Sequence, residues 1–319
     1  MVTGQPTAPG QNRGCTHDAF VYDSDEMLLS GAVPFLQAGL DCDDTVVVVC
    51  SYRKNALLAA ALGNDPRVRF LTQRSVYQRP PGALATYQEL LERERRRPGR
   101  VRLVGEVPYP DGPQERDGWF RYEAVLNRML TPYPAWVVCG YDTRELAPDV
   151  LVACELTHPS LFKESASTPN PLYQEPEEYL RRPAPLPDPV QETSPALRVD
   201  DLEDLRALRD GLRVCYDGRA ADVPGARDLL TAVDEVATNA LRHGAPPVSV
   251  RLWTTPDRSV CTVTDRGEGF DDPVTGYLLS NASAPLSGGA GLWLARSLCD
   301  QVEFVREPAG FTVRLTVHH

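Results

Sequence analysis

The 319-residue sequence has no long apolar segment, and it carries fewer basic than acidic residues. No apolar run approaches the roughly 20 residues that a membrane-spanning helix needs, and the first residues lack the apolar centre of a signal peptide. Both absences predict a cytoplasmic protein that does not enter a membrane. Lysine and arginine number 33 against 44 aspartate and glutamate, a formal net charge of -11. Because a phosphate backbone is bound by a basic face, nucleic acid is not expected as a partner.

Paired cysteines and internal repeats are also missing. The eight cysteines occur singly, without a C-x-x-C pair, whereas zinc and redox sites often use such pairs. Cys50, Cys139 and Cys261 each end or interrupt a β-branched run, where a small apolar thiol packs well. The cysteines are therefore predicted to be structural core thiols. The composition, 42% hydrophobic and 24% charged, is that of a globular protein with room for two domains.

The chain divides into four segments. Residues 1–14 are polar and aperiodic, which predicts a disordered leader. Over residues 15–162, strand-like and helical patterns alternate and the strands are continuous apolar runs, which predicts an α/β domain with a mostly parallel sheet. Residues 163–197 contain eight prolines and predict a semi-rigid linker. Residues 198–319 show helices over 199–212 and 226–243 followed mainly by strands, which predicts an α+β domain with a largely antiparallel sheet.

The predicted helix 226–243 contains the first motif, DEVATNALRHG. Glu235, Asn239 and His243 recur every four residues, so they lie about 40° apart on one helix face. Asn239 offers a hard oxygen ligand to Mg²⁺, and Glu235 is then free to orient or deprotonate an attacking hydroxyl or water. The alternative is an ordinary solvated helix face.

The second motif, DRGEGF, follows directly on an apolar strand. Asp265 at the end of the strand can accept a hydrogen bond from an exocyclic amino group such as that of adenine. Gly267 and Gly269 let the backbone approach a flat ligand closely. The alternative is a simple hairpin turn, since aspartate and glycine are common turn residues.

The third motif, SGGAGLWLA, is a glycine-rich loop that runs into a helix. Free backbone amides at a helix start, together with the helix dipole, bind phosphate groups. The preceding residues 275–286 are predicted to form a lid over the nucleotide. Taken alone, a glycine-rich loop is not specific.

In this order and spacing, the three motifs resemble the N, G1 and G2 boxes of the GHKL superfamily of ATPases and kinases. The resemblance implies the Bergerat ATP-binding fold over about residues 200–319, with ATP and Mg²⁺ as cofactors. It implies Glu235 as general base, Asn239 as Mg²⁺ ligand and Asp265 as the contact to the adenine amino group. The other implied ATP-site residues are His243, Gly267, Gly269, Phe270, Ser287, Gly288, Gly289, Gly291 and Leu292. His243 has the alternative of capping or buttressing the helix end.

Within the superfamily, the sequence is most similar to the anti-sigma-factor serine kinases. Sensor histidine kinases carry a phosphoacceptor histidine just before this domain, where this sequence has its proline-rich segment. Gyrase and chaperone relatives carry transducer domains after it, whereas this sequence ends at His319. The resemblance implies a homodimer that binds a sigma factor and phosphorylates a serine or threonine of an antagonist protein. Two alternatives are a nucleotide-dependent protein that sequesters its partner without kinase activity, and a histidine-kinase-like protein acting in trans.

Residues 15–162 resemble the MEDS sensory domain, which is related to RecA-like ATPases. The motifs that carry this are HDAFVY at 17–22, the strand 46–50, GYD at 140–142 and THP at 157–159. The loop SYRKN after the second strand lacks the glycines of a P-loop, so ATP hydrolysis is not expected here. Open parallel sheets bind ligands beyond the carboxyl ends of their strands, so a small-molecule signal is expected there.

The candidate sensory pocket consists of His17, Tyr52, Arg53, Glu106, Tyr141, Asp142 and His158. Instead of joining this pocket, His17 and His158 could bind a metal or serve as hydrogen-bonded structural residues.

Overall fold

The structure is a computed structural model that describes residues 14–182, 187–216, 223–270, 272–278, 289–307 and 310–319. The chain forms two compact units. The first runs to residue 176, except for residues 79–84 and 110–122, which group with the second unit, residues 177–319. Within the described ranges, no helix is both long enough and apolar enough to cross a membrane. The predicted leader lies outside these ranges, except for its last residue.

The first unit contains a seven-stranded sheet. Its strands are β1 (Thr16–Tyr22), β2 (Thr45–Cys50), β3 (Arg69–Thr72), β4 (Val101–Gly105), β5 (Ala135–Asp142), β6 (Ser160–Lys163) and β7 (Ala166–Pro169). Their order is β3-β2-β4-β5-β1-β6-β7. All neighbouring pairs are parallel except β6 and β7. The prediction of a mostly parallel sheet is therefore confirmed.

Helices alternate with these strands, as the sequence pattern indicates. They are α1 (Asp25–Asp41), α2 (Tyr52–Ala61), α3 (Gln73–Val76), α4 (Pro80–Glu94), α5 (Pro113–Leu130) and α6 (Pro148–Thr157). Serine caps begin two of them. The Ser24 side chain accepts a hydrogen bond from the amide of Met27 at 3.3 Å, and Ser51 accepts one from the amide of Lys54 at 3.3 Å. Such caps satisfy amides that the first helical turn leaves unpaired.

The segment 163–197 contains more regular structure than the predicted semi-rigid linker. Strand β7 pairs with β6, so the sheet continues beyond residue 162. Helix α7 (Pro176–Leu180) and a 3-10 helix (Pro189–Glu192) follow. Each of these helices starts with a proline, and Pro169 ends an edge strand of the sheet. These are positions where a missing amide hydrogen costs little, so the prolines are compatible with regular structure.

The second unit contains a five-stranded sheet. Its strands are β8 (Leu197–Val199), β9 (Ser249–Thr254), β10 (Arg258–Asp265), β11 (Gln301–Glu307) and β12 (Gly310–His318). The order is β11-β12-β10-β9-β8, and every neighbouring pair is antiparallel. Its longer helices are α8 (Leu205–Val214), α9 (Ala226–His243) and α10 (Ala290–Leu298). The predicted α+β domain with an antiparallel sheet is confirmed.

The core of the second unit lies between α9 and the sheet. Leu229 and Val233 of α9 share a hydrophobic cluster with Val250 and Leu315 of the strands. At the amino end, the helix predicted over 199–212 is wrong in its start, because residues 197–199 form β8. Helix α8 begins later, where the Asp204 carboxylate accepts a hydrogen bond from the amide of Arg206 at 2.7 Å.

Candidate functional site

A cavity of about 620 Å³ lies beside α9 in the second unit. This volume falls within the range of roughly 300–1,000 Å³ that is usual for small-molecule sites. One wall is apolar and the other carries polar side chains. The lining residues are Val236, Asn239, Ala240, His243, Gly244, Val263, Asp265, Glu268, Gly269, Phe270, Thr275, Leu292, Phe311 and Val313.

Helix α9 brings the first motif to this cavity. Asn239 and His243 line it, and Glu235 lies one turn before Asn239 on the same helix face. The amide nitrogen Nδ2 of Asn239 is buried and has no hydrogen-bond partner within the described residues. His243 is exposed at the end of the helix. A buried amide without a partner is expected where a bound ligand or ion completes the site.

The start of α10 lies against Glu235 and Asn239. Gly289 is the N-cap of this helix, and Gly291 is in its first turn. A Cβ atom on Gly291 would lie 2.6 Å from Oε2 of Glu235 and 3.2 Å from Nδ2 of Asn239, so a larger residue here would move the Glu235 carboxylate. The first amides of the helix have no carbonyl acceptor within it, and they favour an anion.

Part of the third motif cannot be placed. Ser287 and Gly288 lie outside the described residues, as does the part of the predicted lid from 279 to 286. Thr275, from the described part of that lid, lines the cavity, as does buried Leu292 from α10.

Asp265 stands at the end of β10 and is only 7% exposed. Its Oδ1 atom accepts hydrogen bonds from the amides of Ala245 at 3.2 Å and Gly267 at 2.6 Å. Among the described residues, none donates a hydrogen bond to Oδ2. A Cβ atom on Gly267 would lie 2.7 Å from Oδ1, so a side chain at this position would displace the carboxylate. One oxygen thus holds the carboxylate in place, and the other is left for a donor on a ligand.

The loop that follows Asp265 packs against Phe311 and is bound by Arg306. Gly269 has a φ of +74°, and a Cβ atom there would lie 2.3 Å from the ring of Phe311. Phe270 packs edge-on against Phe311 with ring centroids 5.4 Å apart. The guanidinium of Arg306 donates hydrogen bonds to the carbonyl oxygens of Glu268 and Phe270. These contacts fix the loop at the edge of the cavity.

Val263, Phe311 and Val313, which form the apolar wall of the cavity, were not predicted from the sequence. In the β10–β12 pairing, Val263 lies opposite Val313 and Asp265 lies opposite Phe311. Alternate residues of a strand share a face, so the position two residues before Asp265 was an available signal for Val263. Phe311 and Val313 of β12 could be found only from the pairing of β12 with β10.

In the first unit, Glu106 and Asp142 lie where β4 and β5 end. The ammonium of Lys54, which is 2% exposed, joins them. Its Nζ atom is 3.2 Å from Oε2 of Glu106 and 3.0 Å from Oδ2 of Asp142. The hydroxyl of Tyr22 donates a hydrogen bond to Glu106. Lys54 was missed as a member of this group, although the sequence places it in the first turn after β2.

The charges in this group shift one another's pKa. Burial raises the pKa of Glu106 above its usual value, and the Lys54 ammonium only partly opposes this. Hydrogen bonds, chiefly from Arg144 and then from Lys54, hold the pKa of Asp142 well below its usual value despite burial. Burial lowers the pKa of Lys54, but Glu106 and Asp142 outweigh this, so that the Lys54 pKa is raised. A protonated Lys54 is therefore stabilised beside an ionised Asp142.

The other predicted sensory residues fall into two places. Tyr52 is 85% exposed at the start of α2, and Arg53 pairs with Asp25 at 2.5 Å on the surface. His17 and His158 lie in the interior with ring centroids 4.2 Å apart, and Tyr141 packs edge-on against His158 at 5.5 Å. Asp25 also binds Arg144, the partner of Asp142, so Arg53 lies beside the carboxylates at the strand ends, whereas the two histidines lie apart from them.

The position of His17 in its strand explains why it lies apart from Glu106 and Asp142. It is the second residue of β1, whereas a pocket at the carboxyl edge of the sheet requires residues near the last positions of the strands. The pairing of β1 with β5 places His17 beside Val137, early in β5, and Tyr22 beside Asp142.

Comparison with protein-family models gives two matches. Residues 16–159 match MEDS, the MEthanogen/methylotroph, DcmR Sensory domain, and residues 199–317 match the histidine kinase-like ATPase domain. No curated protein is similar enough to match this chain. The second match contains every residue that lines the cavity beside α9. The chain therefore joins an N-terminal MEDS domain to a C-terminal histidine kinase-like ATPase domain, the architecture of a regulatory ATP-binding protein.

Proposed function

We propose that this chain is an ATP-dependent protein kinase of the anti-sigma-factor type, which phosphorylates a serine or threonine of an antagonist protein and also binds a sigma factor. The observation that carries the proposal is the meeting of three motifs at one cavity. Glu235 and Asn239 come from α9, Asp265 comes from β10, and the start of α10 lies against the first two.

The cavity fits an adenine nucleotide. The free Oδ2 atom of Asp265 would accept a hydrogen bond from the adenine amino group. The apolar wall of Val263, Phe311 and Val313 would pack against the base. The unpaired amides at the start of α10 would face the phosphates.

The polar residues also fit Mg²⁺, which prefers hard oxygen ligands. Asn239 would hold the ion through its side-chain oxygen. The buried end of its amide has no hydrogen-bond partner among the described residues, and rotation of the amide by 180° places the oxygen at that end. The bound ion would neutralise charge on the phosphates. Its role in the reaction is thereby one of electrostatic stabilisation.

Glu235 would act as the general base. Its Oε2 atom lies against Gly291 at the start of α10, where the terminal phosphate is expected. In the transfer, the hydroxyl oxygen of the substrate forms a bond to the γ-phosphorus while the bond from that phosphorus to the bridging oxygen of ADP breaks. Glu235 receives the proton of the hydroxyl.

Glu235→Ala tests this assignment. The purified full-length variant should bind Mg-ATP within a few-fold of the wild type, yet transfer phosphate to the antagonist about 10²- to 10⁴-fold more slowly. Asp234→Ala is the matched control. Asp234 is the neighbouring carboxylate and pairs with Arg209 at 2.6 Å, so its loss should leave transfer intact.

The phosphorylated product decides among the alternatives. Acid-stable phosphate on the antagonist supports serine or threonine as acceptor. Acid-labile phosphate indicates transfer to a histidine in trans. Binding of ATP without transfer to any candidate antagonist, combined with nucleotide-dependent capture of the sigma factor, would overturn the kinase in favour of a sequestering protein.

A further inference from the structure

Four side chains of metal-binding type meet in the interior of the MEDS domain. They are His17 on β1, Glu123 on α5, Cys139 on β5 and His158 directly after α6. Each is at most 7% exposed, and one ligand atom from each lies within 4.8 Å of all the others. None of them belongs to the proposed ATP site or to the ion pairs of Lys54 with Glu106 and Asp142.

The topology explains how residues so distant in sequence converge. Strands β1 and β5 are parallel neighbours, and Cys139 pairs with the residue two positions after His17. Alternate residues share a face of a sheet, so His17 and Cys139 project from the same side. Glu123 reaches them from α5, and His158 reaches them from the end of α6.

Hydrogen bonds fix the orientation of both imidazole rings. The side-chain nitrogen of Asn127 donates to three main-chain carbonyls, so its oxygen faces Nδ1 of His17 at 2.9 Å. Nδ1 of His158 lies 3.0 Å from the carbonyl of Cys154. Both Nδ1 atoms therefore carry hydrogen, and Nε2 of each ring faces Glu123. Metal-binding histidines are commonly held in this way by an outer carbonyl or amide.

The cluster contains a buried atom that lacks a partner. Nε2 of His158 is buried and has no hydrogen-bond partner in the described part of the chain. It faces Oε2 of Glu123 at 3.7 Å, so two acceptor atoms face each other. Burying such an arrangement is costly unless a positive charge lies between the atoms.

Four of the six distances between the ligand atoms are close to those around a tetrahedral zinc ion, and all six are within 4.8 Å. With ordinary zinc bond lengths, neighbouring ligand atoms lie roughly 3.3–3.6 Å apart. Nε2 of His17 is 3.2 Å from Sγ of Cys139 and 3.5 Å from Oε2 of Glu123. Oε2 of Glu123 is 3.7 Å from Sγ of Cys139 and 3.7 Å from Nε2 of His158. The side chains thus already surround a space of the right size.

We propose that His17, Glu123, Cys139 and His158 bind one Zn²⁺ ion in a tetrahedral site. Two nitrogens, one sulfur and one oxygen are a donor set that zinc accepts. The thiolate and the carboxylate together offset the charge of the ion, so the buried site is neutral. Four protein ligands leave no open position, so the ion stabilises the domain by joining β1, β5, α5 and α6 rather than acting as a catalyst.

Metal analysis of the full-length protein tests the site. After dialysis without strong chelator, the wild type should contain about one zinc per chain, and Cys139→Ala should contain almost none. Cys42→Ala is the matched control, because Cys42 is an exposed thiol outside the cluster, and it should keep the zinc. Asn127→Ala should retain the site but bind zinc about 10- to 100-fold more weakly, since Asn127 only positions His17.

A second measurement uses only the wild type, so it still tests the site if Cys139→Ala does not fold. Zinc is removed from the wild type with a chelator, and Co²⁺ is titrated back. The expected result is the intense visible absorption of tetrahedral cobalt with a near-ultraviolet thiolate-to-cobalt band, accompanied by a rise in the unfolding temperature.

The proposal is overturned if the wild type is isolated without zinc, takes up neither zinc nor cobalt at one equivalent, and unfolds at the same temperature with and without them. The cluster would then be a hydrogen-bonded group that holds no metal ion. This result would leave the proposed kinase activity untouched, because the two sites share no residue.

Discussion

Replacing Asp265 with asparagine should weaken ATP binding and reduce the preference for adenine over guanine. Oδ1 of Asp265 accepts two backbone amides, so in the variant the amide oxygen must take this position. The amide nitrogen then replaces Oδ2 and presents hydrogens to the adenine amino group, where an acceptor is needed. Losing a hydrogen bond to a charged group costs about 1.5–3 kcal/mol, which corresponds to about 10- to 150-fold in affinity.

Guanine carries a carbonyl oxygen where adenine carries the amino group, so the asparagine amide can donate to it. GTP binding should therefore stay constant or improve. Isothermal titration of the full chain with Mg-ATP and Mg-GTP measures both changes. Asp257→Asn, in the exposed turn between β9 and β10, is the control and should bind both nucleotides as the wild type does. If Asp265→Asn is folded by thermal unfolding and keeps full ATP affinity and selectivity, then Asp265 does not contact the base.

Three further outcomes follow from the geometry. Lys54→Met should lower the free energy of unfolding in urea by about 3–5 kcal/mol at pH 7, because the buried carboxylate of Glu106 loses its cation and Asp142 keeps only Arg144. The depressed pKa of Asp142 and the raised pKa of Lys54 mean that the stabilisation is lost as pH falls below about 4 or rises above about 10. The difference between wild type and variant should therefore be largest between these values in urea titrations across pH. Gly269→Ala should cost about 1–3 kcal/mol in thermal unfolding, because alanine at a φ of +74° is strained and its Cβ would meet Phe311.

The meeting of the motifs beside α9 could be predicted because its requirements are local. Glu235 and Asn239 share a face of any helix with their spacing, whatever packs against it. Gly267 and Gly269 stand where the backbone passes so close to Asp265 and Phe311 that a Cβ atom would collide with them. The apolar wall is different, because Phe311 and Val313 reach the site through the pairing of β12 with β10. Local patterns carry no information on that pairing.

Proline content misled the prediction for residues 163–197. Proline prevents a central strand or a helix interior, but it is accepted at an edge strand and at the first position of a helix. Pro169, Pro176 and Pro189 each occupy such a position. A high proline count therefore excludes fewer structures than the prediction of a semi-rigid linker assumed.

The two histidines of the predicted sensory pocket lie apart from its carboxylates for a reason of geometry. The rule that ligands bind at the carboxyl ends of parallel strands selected Glu106 and Asp142 correctly as neighbours, because both follow strand ends. His17 lies near the other end of β1, and its neighbour Cys139 is 122 residues away in sequence. No motif spacing relates residues that meet only through a crossover between parallel strands.

The proposed zinc site places its own constraint on the fold. Cys139 and His17 share a face only because β1 and β5 pair in the observed register. A shift of that pairing by one residue would turn Cys139 to the opposite face, and the thiolate would be lost to the ion. Parallel pairing is specified by long crossovers rather than by a tight turn, so such a slip is opposed mainly by burial of the strands. A metal ion bound across β1 and β5 adds a penalty to every other register, and this is a reason for placing a closed site between two central strands of a sensory domain.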